Sequence, residues 1–236
     1  MTPTNSQLTE ILRNYNLRAE DFSVEPVGSG YIHFTYKVSG ETNFILQRVN
    51  KNVFRKPEYI ASNIRLAADH LASKVPDFKF LTPLVTLDGN QMVWDNEGFP
   101  WRMFPFFDGT YTIDKVENPD QAFNAAAEFG KLSLHLSDAD VSLFRETIER
   151  FHDLGLRYQQ FEHALTTGIP DRMLQAADGI KAGKDYQYLV ETYKELITKG
   201  VLRKRITHND TKINNVLFDE RTGKTVAAID LDTLMP

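Results

Sequence analysis

Residues 206–236 constrain this chain more than any other stretch: ITHNDTKINNVLFDERTGKTVAAIDLDTLMP places two apolar runs, 215–218 and 226–231, on either side of a polar turn at 219–224. Such a pattern predicts a β-hairpin. With the turn centred between Thr222 and Gly223, antiparallel pairing sets Asn215 directly opposite Asp230. Asp210 lies on the loop entering the hairpin, and strand alternation puts Asp232 on the same face as Asp230. Two carboxylates and an amide oxygen then converge on one small volume, which is the donor set of a hard cation.

Mg²⁺ takes octahedral oxygen ligands, commonly one or two carboxylates with water and phosphate oxygens in the other positions. Asn215 and Asp230 suit that arrangement. A carboxylate kept off the metal can orient an acceptor hydroxyl and take its proton, the role expected of Asp210, while Lys212 on the same side of the loop reaches transferred phosphoryl oxygens as a point charge. Taken singly, His208, Asn209 and Asp210 are also ordinary turn-forming residues. The ordered set H-x-D-x-K-x-x-N followed by a strand ending in Asp is far more specific, because kinase catalytic loops use that spacing.

Composition narrows the partners. The chain has 236 residues, 42% of them hydrophobic, enough for a substantial core, and its net charge of −5 comes from mixed signs. No broad basic face recommends nucleic acid or anionic lipid as a partner. The absence of cysteine excludes disulfides and thiolate metal sites and fits a reducing compartment, so a cytoplasmic location is expected. Neither a signal-peptide pattern nor an apolar run long enough to span a membrane is present. The six histidines lack zinc-site spacing.

The pattern along the chain predicts an α+β fold in two lobes: a β-rich N-lobe over 1–101, a connector over 102–110, and a mainly helical C-lobe over 111–236. Thr4 with Gln7 makes a capping box for an opening helix. Three strands follow, punctuated at Gly28, Gly30 and Gly40; Pro57 starts a helix; and 84–94 reads as a hairpin turning at Asp88, Gly89 and Asn90. The aromatic stretch GFPWRMFPFFDGTY marks the connector. Beyond it, Asn118 caps a helix with Pro119 in its first turn, a second helix is expected over 143–165, and a third from about Tyr186 to Gly200. Gly28, Ser29 and Gly30 between strands allow backbone N–H groups to approach nucleotide phosphates, though glycines between strands are more often a plain turn.

On the segments HNDTKINNVLFD and AAIDLDTLMP the chain resembles the N-acetylhexosamine 1-kinases, within the aminoglycoside phosphotransferase and protein-kinase-like superfamily. EPVGSGYIHFTYKV, FILQRVN, PWRMF and ERFHDLGLRYQQF are similar to that group more weakly, as its glycine loop, third strand, connector and acceptor-side helix. The resemblance implies a two-lobed protein-kinase-like fold, ATP as phosphoryl donor, Mg²⁺ on Asn215 and Asp230, Asp210 as base, and phosphorylation of an N-acetylhexosamine at its anomeric hydroxyl. It also implies a further C-terminal helical segment, so the chain reads as a truncated form whose own activity is open. Gln47 departs from the wider superfamily, which carries there a lysine for the α- and β-phosphates, and is expected to bind the nucleotide instead. Tyr31, His33, His152, Asp153, Arg157 and Asp232 are candidates for substrate contact. Two other readings stay open: a kinase of another small hydroxyl compound, such as an aminoglycoside or amino alcohol, and an inactive nucleotide-binding fragment.

Overall fold

The computed structural model describes residues 3–28 and 32–236. The chain begins as expected, with Thr4 Oγ accepting the Gln7 N–H (3.2 Å) and Gln7 Oε1 accepting the Thr4 N–H (2.9 Å) at the start of α1 (Asn5–Arg13). Ile11 and Leu12 from that helix are buried with Tyr36, Val38, Leu46, Trp101 and Met103. These last five belong to an antiparallel sheet of β1 (Ser23–Pro26), β2 (Phe34–Ser39), β3 (Phe44–Arg48), β4 (Val93–Trp94) and β5 (Pro100–Pro105). Its strand order is β1-β2-β3-β5-β4.

Two expectations for this part change. A turn forms at Asp88-Gly89, with the Thr86 N–H donating to Asn90 O at 2.8 Å, but only 93–94 of the expected hairpin are strand, and they pair with β5. Leu84 N–H bonds instead to Met103 O (2.7 Å). Arg102 to Pro105, assigned from sequence to the connector, continue β5, because residues 100–104 are buried and complete the ladder with β3. The prolines that suggested a break sit at the two ends of that strand, where a missing N–H costs little.

Pro57 opens α2 (Pro57–Lys74), whose Ile60, Ile64, Ala67 and Leu71 recur at helical spacing and are buried. They join the larger core with Phe129, Leu132 and Leu136 of and beside α3 (Pro119–His135), and with Ile206, Val216, Phe218, Leu231 and Leu234. Asn118 caps α3 by accepting the Gln121 N–H (3.0 Å). A second sheet, β6 (Thr110–Tyr111), β7 (Val216–Asp219) and β8 (Thr225–Ala228), carries the expected hairpin. At the centre of this core Asn63 of α2 is fully buried, donating to Arg145 O (2.7 Å) and Leu234 O (2.9 Å) and accepting the Arg145 N–H (3.0 Å).

The chain forms two compact units, one of residues 1–148 with 205–236 and one of 149–204. The division expected at 101 and 111 was one of element type; these units cut the chain elsewhere, because α2 shares its core with α3 and the C-terminal strands. The second unit comprises α4 (Leu154–Thr167), α5 (Pro170–Gln175), α6 (Ala177–Asp185) and α7 (Tyr188–Thr198). The helix expected over 143–165 starts only at Leu154: 141–143 form a 3-10 turn and Asp153 caps α4. Neither α5 nor α6 was anticipated: α5 is only six residues long, and α6 contains Gly179 and Gly183 with Ile180 as its one large apolar residue. Among the described residues no helix is long and apolar enough to cross a membrane.

Candidate active site

The loop from Ile206 is held by its own polar residues. Thr207 and Met235 exchange backbone hydrogen bonds, both 3.1 Å. His208 is buried against Phe129; its Nε2–H donates to Ile229 O (2.8 Å) while Nδ1 accepts the Asp210 N–H (3.3 Å), which fixes the tautomer. Asn209 takes a left-handed conformation (φ 62°), and its amide nitrogen lies within hydrogen-bond distance of Thr233 O (3.0 Å) and Met235 O (3.1 Å). Thr233 Oγ returns a bond to His208 O (2.6 Å). An asparagine tolerates that backbone better than most residues, and here the surrounding bonds hold it.

This scaffold presents Asp210, whose side chain is 37% exposed. Its Oδ2 accepts from Asn215 Nδ2 (3.0 Å) and pairs with Lys212 Nζ (2.9 Å). Asn215 is buried in the 3-10 turn 213–215, and its Nδ2 also reaches Asp210 O (2.9 Å). Because its nitrogen faces Asp210, its Oδ1 is the atom left to receive a cation. Asp210, Lys212 and Asn215 are therefore brought together.

Asp230 arrives differently from the expectation. The register pairs Val216 with Ala228, and the Ile229 N–H donates to Asn215 O (2.9 Å), so Asn215 stands opposite Ile229 and not opposite Asp230. The turn closes one residue earlier than a centre between Thr222 and Gly223 would give, with Phe218 opposite Thr225, and a bulge between Leu217 and Phe218 then restores one of the two residues of register lost. Asp230 then leaves the strand in the left-handed region (φ 59°, ψ 54°) and 231–233 coil into a 3-10 turn. Strand alternation therefore does not apply to Asp232, whose carboxyl is buried while that of Asp230 is exposed. The close packing around Asp230, reinforced by the Asp232 charge, raises its pKa, against the opposing pull of Arg102, His33 and Lys212.

Asp232 sits between two partners. Burial by itself would raise its pKa, but the Arg102 guanidinium at Oδ1 and His33 at Oδ2 hold it below the usual carboxylate range. The His33 ring also accepts the Asn50 N–H at Nδ1 (3.0 Å), so its proton is on Nε2, facing Asp232. Although one donor atom each of His33, Asp230 and Asp232 lies within 4.8 Å of the others, a donor N–H cannot ligate a cation. Asp232 and His33 thus serve each other and are not presented to an acceptor. Gln47 is similarly engaged: Oε1 accepts Arg102 Nε–H (3.1 Å) and Nη2–H (2.9 Å), and Nε2 donates to Thr35 Oγ (3.2 Å). Sequence reasoning missed Arg102, having put it in the connector; the signal that finds it is the register, which makes it the cross-strand neighbour of Gln47.

Of the glycine segment, Gly28 has φ +83°, a conformation that a side chain would strain, whereas Ser29, Gly30 and Tyr31 lie outside the described residues. The remaining candidates belong to the second unit. Asp153 caps α4 through the Leu156 N–H (2.8 Å) and pairs with Arg150 (2.8 Å). Arg157 donates to Phe151 O (2.9 Å) and Gln160 Oε1 (2.9 Å), and the His152 ring lies 4.5 Å from that of Phe151. Those contacts account for Asp153 and Arg157 as local structure.

A spectinomycin phosphotransferase, solved with ADP and spectinomycin, superposes with a TM-score of 0.65 at 17% identity over 98% of this chain and 69% of its own. A microcompartment-associated aminopropanol kinase gives 0.63 at 18% over 97% and 69%. An amicoumacin kinase, solved with AMP-PNP, Ca²⁺ and Ami, gives 0.58 at 16% over 93% and 60%. At these identities the likeness speaks for the fold, an α+β fold of the kinase-like kind. Residues 23–236 match the profile of a family described as the phosphotransferase enzyme family, and the chain belongs to that family.

Proposed function

We propose that this chain is a metal-dependent kinase that transfers the γ-phosphoryl group of ATP to a hydroxyl of a small molecule, and that the acceptor is the anomeric hydroxyl of an N-acetylhexosamine. The observation that carries the reaction class is Asp210: a partly exposed carboxylate, oriented by Asn215 and Lys212 on a loop fixed by His208 and Asn209. In the proposed reaction Asp210 takes the proton of the acceptor hydroxyl as its oxygen forms the bond to phosphorus, and the bond from phosphorus to the β-phosphate oxygen breaks to release ADP. Lys212, half-exposed, turns from Asp210 to the transferred phosphoryl oxygens.

The residues fit a magnesium ion: Asp230 offers an exposed carboxylate and Asn215 an amide oxygen. When bound, the ion neutralises charge on the nucleotide phosphates. Asp230 and Asn215 hold the ion, leaving Asp210 free of it as the base.

The sugar acceptor rests on the resemblance of HNDTKINNVLFD and AAIDLDTLMP to the hexosamine kinases. A second reading, a kinase of an amino alcohol or aminoglycoside, is favoured by the aminopropanol and spectinomycin kinases among the structural relatives. ADP release with N-acetylglucosamine, N-acetylgalactosamine, aminopropanol and spectinomycin as acceptors separates the two. The first reading expects release with the N-acetylated sugars alone; release with an amino alcohol or spectinomycin and none with the sugars overturns it.

A further inference from the structure

Gln47 stands on β3, the strand from which kinases project a lysine toward the nucleotide phosphates, so on that strand the chain lacks the expected cation. The amide of Gln47 is committed elsewhere, to Arg102 and Thr35. Arg102, directly opposite on β5, reaches the same place with a charge that cannot be titrated away. One edge of its guanidinium, Nε with Nη2, is fixed by Gln47, and Nη1 faces Asp232.

The Nη1 edge is held by the charge of Asp232 more than by hydrogen-bond geometry. Among the described residues Arg102 Nη1 and Asp232 Oδ1, both buried, approach each other without a well-directed hydrogen bond to any partner. A buried donor left in that state is costly unless it has another acceptor in some state of the protein. The residue beside it is Asp230, the proposed metal ligand, which shares a cluster with Asp232. An anionic oxygen arriving next to Asp230 therefore approaches the guanidinium that Asp232 now pairs with.

We propose that Arg102 is the phosphate-binding cation of the nucleotide site, supplied from β5 in place of a lysine on β3, with Gln47 as the residue that positions it. The Nη1 edge exchanges Asp232 for a non-bridging oxygen of the nucleotide, and Asp232 keeps its bond from His33. This rests on the proposed nucleotide site. Gln47 thereby changes from a ligand of the nucleotide to the support of its ligand.

Titration calorimetry with ADP and with adenosine, on the full chain, tests it. Arg102→Gln is expected to weaken ADP about tenfold or more, through loss of a charge-assisted hydrogen bond, and to leave adenosine unchanged. Gln47→Met, which keeps the cation but releases its fork, is expected to weaken ADP less and adenosine not at all. Gln47→Lys combined with Arg102→Gln returns a cation to β3 and is expected to recover ADP binding. Parallel loss of ADP and adenosine, or unchanged ADP affinity in Arg102→Gln, overturns the proposal in favour of a purely structural arginine. Wild-type protein that binds adenosine but not ADP overturns it too, and binding of neither overturns the nucleotide site itself.

Discussion

Replacing Asp232 by asparagine removes one charge from a pair in which both side chains are 2% exposed and changes almost nothing in shape. The asparagine oxygen still accepts from His33, which turns its NH2 group toward Arg102, so the perturbation falls on Arg102: it keeps the neutral amide of Gln47 but loses its paired carboxylate. Breaking a buried pair from one side costs about 3–5 kcal/mol, because the remaining charge keeps its desolvation penalty. Asp232 also lends its backbone carbonyl to Thr147 Oγ (2.7 Å), a bond the substitution spares, so the lower part of that range is expected. Both tryptophans, Trp94 and Trp101, lie in the first unit, so urea unfolding followed by tryptophan fluorescence reads that unit alone. With a slope of about 2 kcal/mol per molar urea, the midpoint falls by about 1.5 M. Arg102→Met added to Asp232→Asn removes the stranded charge and is expected to recover most of the loss. A single variant within about 0.5 kcal/mol of wild type, in the range of ordinary surface changes, would refute the reasoning, since the pair would then not be desolvated.

Asn63→Ala deletes three hydrogen bonds at the centre of the larger core and leaves the Leu234 carbonyl and both backbone groups of Arg145 without a partner; a loss of about 3 kcal/mol is expected in the same unfolding assay. Burial pushes the Tyr15 hydroxyl up to about 12. Its contribution is therefore fully present below pH about 10, where the unfolded chain ionises, and is lost as pH rises from there toward the folded value, at most about 2.7 kcal/mol over the whole window. Tyr15→Phe is expected to flatten the alkaline limb of stability between pH 9 and 11 by about 1.3 kcal/mol, half of the full amount, measured as urea midpoints.

The parts legible in the sequence were those with local signals. Thr4 and Gln7, Pro57, and Asn118 with Pro119 each mark a helix start that depends on a few neighbouring residues, and all three helices begin there. Asp210, Lys212 and Asn215 form a cluster within one loop, so their order along the chain is enough to bring them together. What the sequence hid depends on register and on distant partners. A turn centred one residue early, only partly offset by the bulge at Leu217, set Asn215 opposite Ile229 and not Asp230, and the left-handed turn at Asp230 sent Asp232 inward to Arg102 and His33, the latter 199 residues away in the chain. The prolines flanking 101–104 resembled a linker because periodicity cannot show which residues complete a ladder with β3. Helix α5 is too short to show a period, and α6 carries two glycines and a single large apolar residue, Ile180.

The central claim is that Asp210 takes a proton from an acceptor hydroxyl while phosphoryl transfer proceeds at the site of Asn215 and Asp230. Transfer of label from γ-labelled ATP to N-acetylglucosamine or N-acetylgalactosamine, measured with Mg²⁺ for the wild-type chain and for Asp210→Asn, tests it most directly. The account predicts labelled sugar phosphate from the wild type and a rate lower by about 10²–10⁴ in the variant, the size of a general-base contribution. Equal rates in the two proteins would contradict it.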